Sequence, residues 1–209
     1  MHDAKDHLLY DGGRAPNPRR VAMFLAEKEI EVSMRAVDMG QMEHKSESIN
    51  ALNPLQKMPL LVLPDGAVLT ESIAICRYFE NLFPEPNMMG KGTKQMAIVE
   101  MWQRRVELEF LFRVAQAFRH THPAMKEWEV PQIPSWGEAN RPKAIWFAQL
   151  LDARLAKNEY VCGNTFSVAD ITAIIAMDFS KPAKIVYPIE LENLHAWAGK
   201  IRTRDSYKP

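Results

Sequence analysis

Cysteine, net charge and long apolar runs are what this sequence has least of. Only Cys76 and Cys162 occur in 209 residues. They lie far apart in apolar surroundings and form no Cys-x-x-Cys unit. This argues against a dithiol redox motif and reads as two reduced structural thiols in a cytoplasmic chain. Basic and acidic residues balance at 26 each, for a formal net charge of zero. With both signs interspersed, no surface for nucleic acid or an anionic membrane is expected. No apolar run approaches the ~20 residues needed to span a bilayer. The opening Met1-His2-Asp3-Ala4-Lys5-Asp6-His7 is polar and has no secretory apolar core. Neither an internal repeat nor a low-complexity segment is visible.

What is present changes character about two fifths of the way along. The first part alternates strand and helix patterns. Leu8 to Tyr10 reads as a strand, Pro18 to Lys28 as a helix and Ile30 to Val37 as a second strand. A polar stretch from Gly40 to Ser48 precedes a short helical piece ending near Leu52. Leu60 to Leu63 and Ala67 to Leu69 flank the turn dipeptide Asp65-Gly66, and a helix follows from Ile73 to Leu82. Strands separated by helices imply parallel pairing, and the hairpin adds an antiparallel pair. The expected layout is a thioredoxin-like βαβαββα unit over residues 1–83.

Phe83-Pro84-Glu85-Pro86-Asn87 cannot continue a helix, so residues 84–92 read as a linker. Residues 93–209 read as all-helical. Thr93 to His120 carries apolar residues at helical spacing (Met101, Leu108, Leu111, Val114, Phe118) and stops before Pro123. Met125 to Pro142, rich in proline, reads as an irregular loop. Further helices are expected over Arg141–Asn158, Val168–Phe179 and Leu191–Ile201. Ser167 and Asp170 have the spacing of a capping box, and Phe166 stands where a hydrophobic staple to Ile171 would begin. His120-Thr121-His122 lacks a third ligand at suitable spacing, so no metal is expected.

The chemistry concentrates around Met58-Pro59 and Glu71-Ser72. Proline belongs at strand starts and edges, and a cis bond before it would hold the Met58 backbone outward. The Met58 amide and carbonyl could then pair with an extended peptide. Ser72 opens a helix, where free N–H groups and positive potential attract a carboxylate, and Glu71 beside it could accept from an ammonium. Recognition of both ends of an α-amino acid, next to a peptide-pairing edge, suits a γ-glutamyl tripeptide.

On Met58-Pro59, Glu71-Ser72 and the capping segment near residue 167, the chain resembles the cytosolic glutathione transferases, with a likeness to bacterial theta-like and nu-like members. The resemblance covers nearly the whole sequence. It implies a thioredoxin-like domain joined to a helical-bundle domain, and a thiolate of glutathione delivered to a small hydrophobic electrophile, a disulfide or a peroxide. It implies glutathione as co-substrate, a homodimer and a cytoplasmic location. A second substrate is expected between the domains, near Trp102, Phe112, Trp128 or Trp136. Glutathione contacts are expected from Asn17, His44, Lys57, Met58, Pro59, Glu71 and Ser72, with His44 toward the glycine carboxylate.

One departure from the family pattern stands out. The family places a Tyr, Ser or Cys after the first strand to hold the sulfur, and the usual serine position falls on Ala15. Tyr10 lies within the strand. Pro16-Asn17 is similar to the loop of the nu-like members, which makes Asn17 the catalytic candidate. Arg14 and the backbone amides of the helix start are alternatives, and Asn17 could equally be the cap of a helix beginning at Pro18. The missing donor leaves open a chain that binds ligands or assembles complexes without catalysis.

Overall fold

His2–Asp11 form strand β1 in the computed structural model, which describes residues 1–208. The strand starts earlier than its apolar stretch suggests. His2–Ala4 pair with Ile30–Val32 of β2 (Ile30–Ala36), and the register then jumps so that Leu8 pairs with Ser33. The three residues skipped, Lys5 to His7, bulge out of the ladder. His7 is buried in that bulge, its Nδ1 2.7 Å from Asp6 Oδ1 and its Nε2 2.8 Å from the Tyr78 hydroxyl. A polar strand start of this kind carries no alternation, which is why periodicity misses it.

Helix α1 (Pro16–Glu27) runs between β1 and β2, and after β2 come a 3-10 turn (Glu43–Lys45), α2 (Glu47–Leu52), β3 (Leu60–Val62), β4 (Val68–Thr70) and α3 (Ser72–Leu82). The sheet order is β2-β1-β3-β4, with β1 parallel to β2 and antiparallel to β3. Alternation sorts the side chains. Leu60 and Val62 pack with Tyr10, Ile49 and Met58. Leu9, Leu61, Val21, Phe24, Ile75 and Phe79 are almost wholly buried, and α1 packs on α3. Between β3 and β4, Leu63 N–H bonds the Ala67 carbonyl at 2.8 Å, leaving a three-residue loop that ends on Gly66 at φ +85°. Only glycine takes that conformation without steric cost.

The chain divides at Asn87/Met88, inside the expected linker, and Lys208 belongs with the first unit. The start of the linker is fastened within that unit. Lys28, almost fully buried, lies 2.8 Å from Glu80 Oε2 and donates to the Pro86 carbonyl at 2.6 Å, while Asn87 Nδ2 donates to Glu80 Oε1 at 2.7 Å.

The second unit is helical: α4 (Gly92–Val106), a π-turn (Glu107–Leu111), α5 (Phe112–Thr121), α6 (Pro134–Leu155), α7 (Val168–Phe179) and α8 (Glu192–Arg202). The π-turn corrects the expected apolar stripe. Leu111 and Val114 are buried, but Met101 and Leu108 are about 40% exposed and the core side upstream is Val99, Trp102, Val106 and Phe110. A π-turn adds a residue to the helical count and rotates the face by about 100°. Extending the α period backwards through it therefore lands on the wrong side.

Helix α6 is the second correction. It begins at Pro134 and runs through Pro142, within the stretch that reads as an irregular loop. Proline at the first helical position is favourable, since its missing N–H would have no partner there. Gly137 lets α6 approach α5 closely: a Cβ there would stand 2.6 Å from Thr121 Cγ2. Helix α7 matches its expected bounds, with every residue from Val168 to Met177 buried. Asp170 closes its start, taking the Ser167 N–H at 3.0 Å and the Ser167 hydroxyl at 2.9 Å on Oδ2, and Val161 N–H and Trp197 Nε1–H on Oδ1. Phe166 packs edge-on against Tyr160, with the Arg204 guanidinium over its ring.

Candidate functional site

The pairing registers bring the expected segments to one end of the sheet. Tyr10 faces Leu60, and Leu60 faces Thr70. The residues one step beyond that row are Asp11-Gly12, Met58-Pro59 and Glu71-Ser72. Because β2 runs parallel to β1, its exit toward the 3-10 turn lies at the same end. Contacts close the arrangement. A Cβ on Gly12 would sit 2.9 Å from Met58 Cβ, 3.2 Å from Pro18 Cγ and 3.3 Å from Met39 Sδ, so only glycine lets these pieces meet. Arg20 Nε on α1 donates to Ser72 Oγ on α3 at 3.1 Å.

The peptide bond between Met58 and Pro59 is cis. Among the described residues no main-chain group bonds the Met58 amide or carbonyl, so both polar groups of that residue stay available at the sheet end. The loop that delivers it is shaped by Asn53, which is 3% exposed. Its Nδ2 donates to the Lys57 carbonyl at 2.7 Å, and its Oδ1 accepts the Leu55 N–H at 3.1 Å. The Lys57 ammonium is in solvent.

Glu71 is the residue before α3 and sits at φ +66°, ψ 116°, a left-handed setting that a side chain rarely takes. Its carboxylate is exposed, and its carbonyl accepts the Ile75 N–H at 3.0 Å. Ser72 is 2% exposed and stands at the first position of the helix. His44 is also buried, at 3% exposure. Burial first, and then the neighbouring Lys45, push its pKa down, so it is a neutral imidazole at neutral pH.

The start of α1 differs from expectation. Its cap is Ala15, at φ −64°, ψ 147°, without a side-chain bond, and Asn17 lies inside the first turn. Pro16 fixes the first helical φ, so the helix begins two residues before Pro18 and Asn17 is not its cap. Two prolines also thin the donors. Pro16 and Pro18 have no N–H, and the Arg19 N–H bonds the Ala15 carbonyl at 3.2 Å. Among the described residues, Asn17 is left as the sole main-chain donor of the first helical turn, and it carries the side-chain amide as well.

The remaining candidate side chains have different settings. Tyr10 lies inside β1, with the Arg35 guanidinium 4.9 Å over its ring. Arg14 is exposed in the turn before α1. Burial pushes the thiols of Cys76 and Cys162 up to about 12, which keeps both protonated at neutral pH. His120 Nδ1 accepts the Ile133 N–H at 3.1 Å and His122 Nδ1 accepts the Ala124 N–H at 3.2 Å, which makes the pair a helix-end closure. In the second unit, Trp102 is a core residue between the Arg105 and Arg154 guanidinium groups. Phe112 and Trp136 are about 40% exposed, and the Trp136 indole donates to Gln116.

Gly12, Arg20 and Asn53 are the residues that sequence reasoning passes over. Arg20 had a signal: with Phe24 on α1 and Lys28 just past its end it forms an i, i+4, i+8 row, which puts two cations on a core-facing stripe.

The match to known proteins agrees with this architecture. Residues 15–82 match the model of the glutathione S-transferase N-terminal domain, and residues 138–205 match that of the C-terminal domain. Glutathione S-transferase 2 of Saccharomyces cerevisiae is 35% identical over 96% of this chain and 88% of its own length. A glutathione S-transferase domain-containing protein of Marinobacter aquaeolei VT8 superposes with a TM-score of 0.93 at 33% identity, covering 96% of this chain and all of the other. The crystal structure of Gtt2 from Saccharomyces cerevisiae gives a TM-score of 0.90 at 34% identity, covering 95% and 97%. The chain belongs to the glutathione S-transferase family.

Proposed function

We propose that this protein is a glutathione transferase whose first unit holds glutathione at the end of its sheet and presents the thiolate to a small hydrophobic electrophile, a disulfide or a peroxide. The observation that carries the reading is the convergence of Gly12, Met58 and Ser72 beyond one row of paired residues. In this reading Ser72 and the start of α3 hold the γ-glutamyl carboxylate, and Glu71 holds the ammonium. The Met58 main chain pairs with the cysteinyl segment beside Pro59. Lys57 and the neutral His44 serve the glycine end, Lys57 by charge and His44 as a donor.

The sulfur is assigned to Asn17. Its main-chain N–H and side-chain amide stand at the positive end of α1, where negative charge is favoured. Such donors do not titrate, so they lower the thiol pKa by stabilising the charged form alone. Ala15 supplies no hydroxyl or thiol in their place, which favours the two reductase activities over simple conjugation. The protein is taken to act as a cytoplasmic homodimer related by a two-fold axis. Among the described residues no helix is long and apolar enough to cross a membrane.

One preparation decides between the activities. Conjugation of a generic aryl halide, reduction of a glutathione mixed disulfide and reduction of an organic hydroperoxide are measured beside glutathione affinity. Turnover in at least one assay is expected. Tight glutathione binding with none of the three would identify a non-catalytic binding module instead.

A further inference from the structure

The Arg20–Ser72 contact constrains the chemistry of the ligand more tightly than the site as a whole. Both residues are 2% exposed. A guanidinium carries five N–H donors and no lone pair, so it only donates, whereas a serine hydroxyl has two lone pairs and one proton. Arg20 Nε donates to Ser72 Oγ at 3.1 Å, and Arg20 Nη2 donates to the same oxygen. Both lone pairs are thereby taken. What remains to Ser72 is its O–H, and among the described residues that proton is given to no acceptor.

We propose that Arg20 is a positioning residue that fixes Ser72 as a donor and so makes this end of the site selective for an anionic oxygen. The selected group is the free α-carboxylate of a γ-glutamyl compound, against an amide, an ester or a decarboxylated end. This rests on the reading that Ser72 meets the γ-glutamyl end. Without Arg20 a serine hydroxyl is ambivalent: it rotates to accept from an amide or ammonium as readily as it donates. With the fork in place, an amide N–H brought to Ser72 finds no lone pair, and a missing carboxylate leaves a buried donor unmatched. Donation from a cation also polarises the O–H, which strengthens its bond to a carboxylate. The Arg20 charge is felt along α3, where it opposes the upward push on the Cys76 thiol.

The test is calorimetric titration of the full chain with two ligands: glutathione, and the analogue with γ-aminobutyrate in place of γ-glutamate, which lacks only the α-carboxylate. The ratio of their affinities is the readout, because a general loss of packing or of folded protein lowers both alike. Ser72→Ala and Arg20→Gln are each expected to shrink that ratio by about tenfold or more, the scale of a hydrogen bond to a charged group. The double variant should lose little further, since the two residues act through one proton. Arg20→Lys keeps the charge without the fork. It should reduce the ratio severalfold, and it carries the test if the Gln variant does not fold.

A ratio left at the parent value by Arg20→Gln or Arg20→Lys, while Ser72→Ala lowers it, overturns the role of Arg20 alone. A ratio unmoved by Ser72→Ala overturns the assignment of Ser72 itself.

Discussion

Glu71 holds a backbone conformation that costs a residue with a side chain on the order of 1–3 kcal/mol. The turn from β4 into α3 demands it, and glycine would meet the demand without strain. That a glutamate stands there instead fits a side chain kept for ligand binding. Glu71→Gly is therefore expected to raise the urea midpoint, by up to about 1 kcal/mol of added stability, while glutathione affinity falls severalfold. A loss of stability would contradict the strain at Glu71, and parental glutathione affinity would remove its side chain from the site. At this scale the sequence was only partly legible. The placement of Met58-Pro59 before β3 and of Glu71-Ser72 at the start of α3 could be read, because proline and a helix-opening acid-hydroxyl pair have local meaning. Gly12, Arg20 and Asn53 could not, because each acts through a partner distant in sequence: Met58, Ser72 and, for Asn53, the carbonyl that closes its own loop.

Among the elements, α1 carries the proposed activation and α7 the folding of the second unit. Because Asn17 is not the cap of α1, substituting it separates chemistry from stability. Asn17→Asp places a negative charge at a position where the helix dipole tolerates it, so the fold should persist with stability within about 0.5 kcal/mol. Beside the sulfur, the same charge should raise the thiol pKa of bound glutathione and lower turnover. Parental pKa and turnover in a folded Asp variant would pass the role to Arg14.

In α7, burial raises the Asp170 carboxyl to about 6 despite the four hydrogen bonds it accepts. The unfolded value is near 3.9. A folded pKa above the unfolded one means that the native state binds the proton more tightly. The stabilisation from this group is thus complete below about 3.9 and is lost as pH rises through about 6. A carboxyl-carbon NMR titration is expected to place the Asp170 midpoint near 6, and a midpoint at or below ~4 would contradict the burial argument. The capping box itself was legible, since Ser167 and Asp170 have fixed spacing. The π-turn and the passage of α6 through Pro142 were not, because each departs from the local rule that periodicity and proline content encode.

At the scale of the molecule, the division near Asn87, the mixed sheet and the helical second unit follow from composition and pattern, since proline density and a switch from strand to helix period survive in one sequence. Association is different, because it depends on a face that only the folded chain assembles. The exposed Met101, Leu108 and Phe112 of the α4–α5 run are candidates to be covered in the proposed homodimer. Light scattering at micromolar protein should return twice the 23.9 kDa chain mass, and a monomer mass would refute it.

If this chain binds glutathione and holds its sulfur as thiolate, the ultraviolet thiolate absorbance of the bound tripeptide, followed against pH, will show it. Cys76 and Cys162, pushed up to about 12 by burial, are silent through the neutral range, so the signal there belongs to the ligand. Saturable binding is expected, with a titration midpoint at least one unit below the ~8.5 of a free thiol. A bound thiol that titrates at its free value, or no saturable binding, would contradict it.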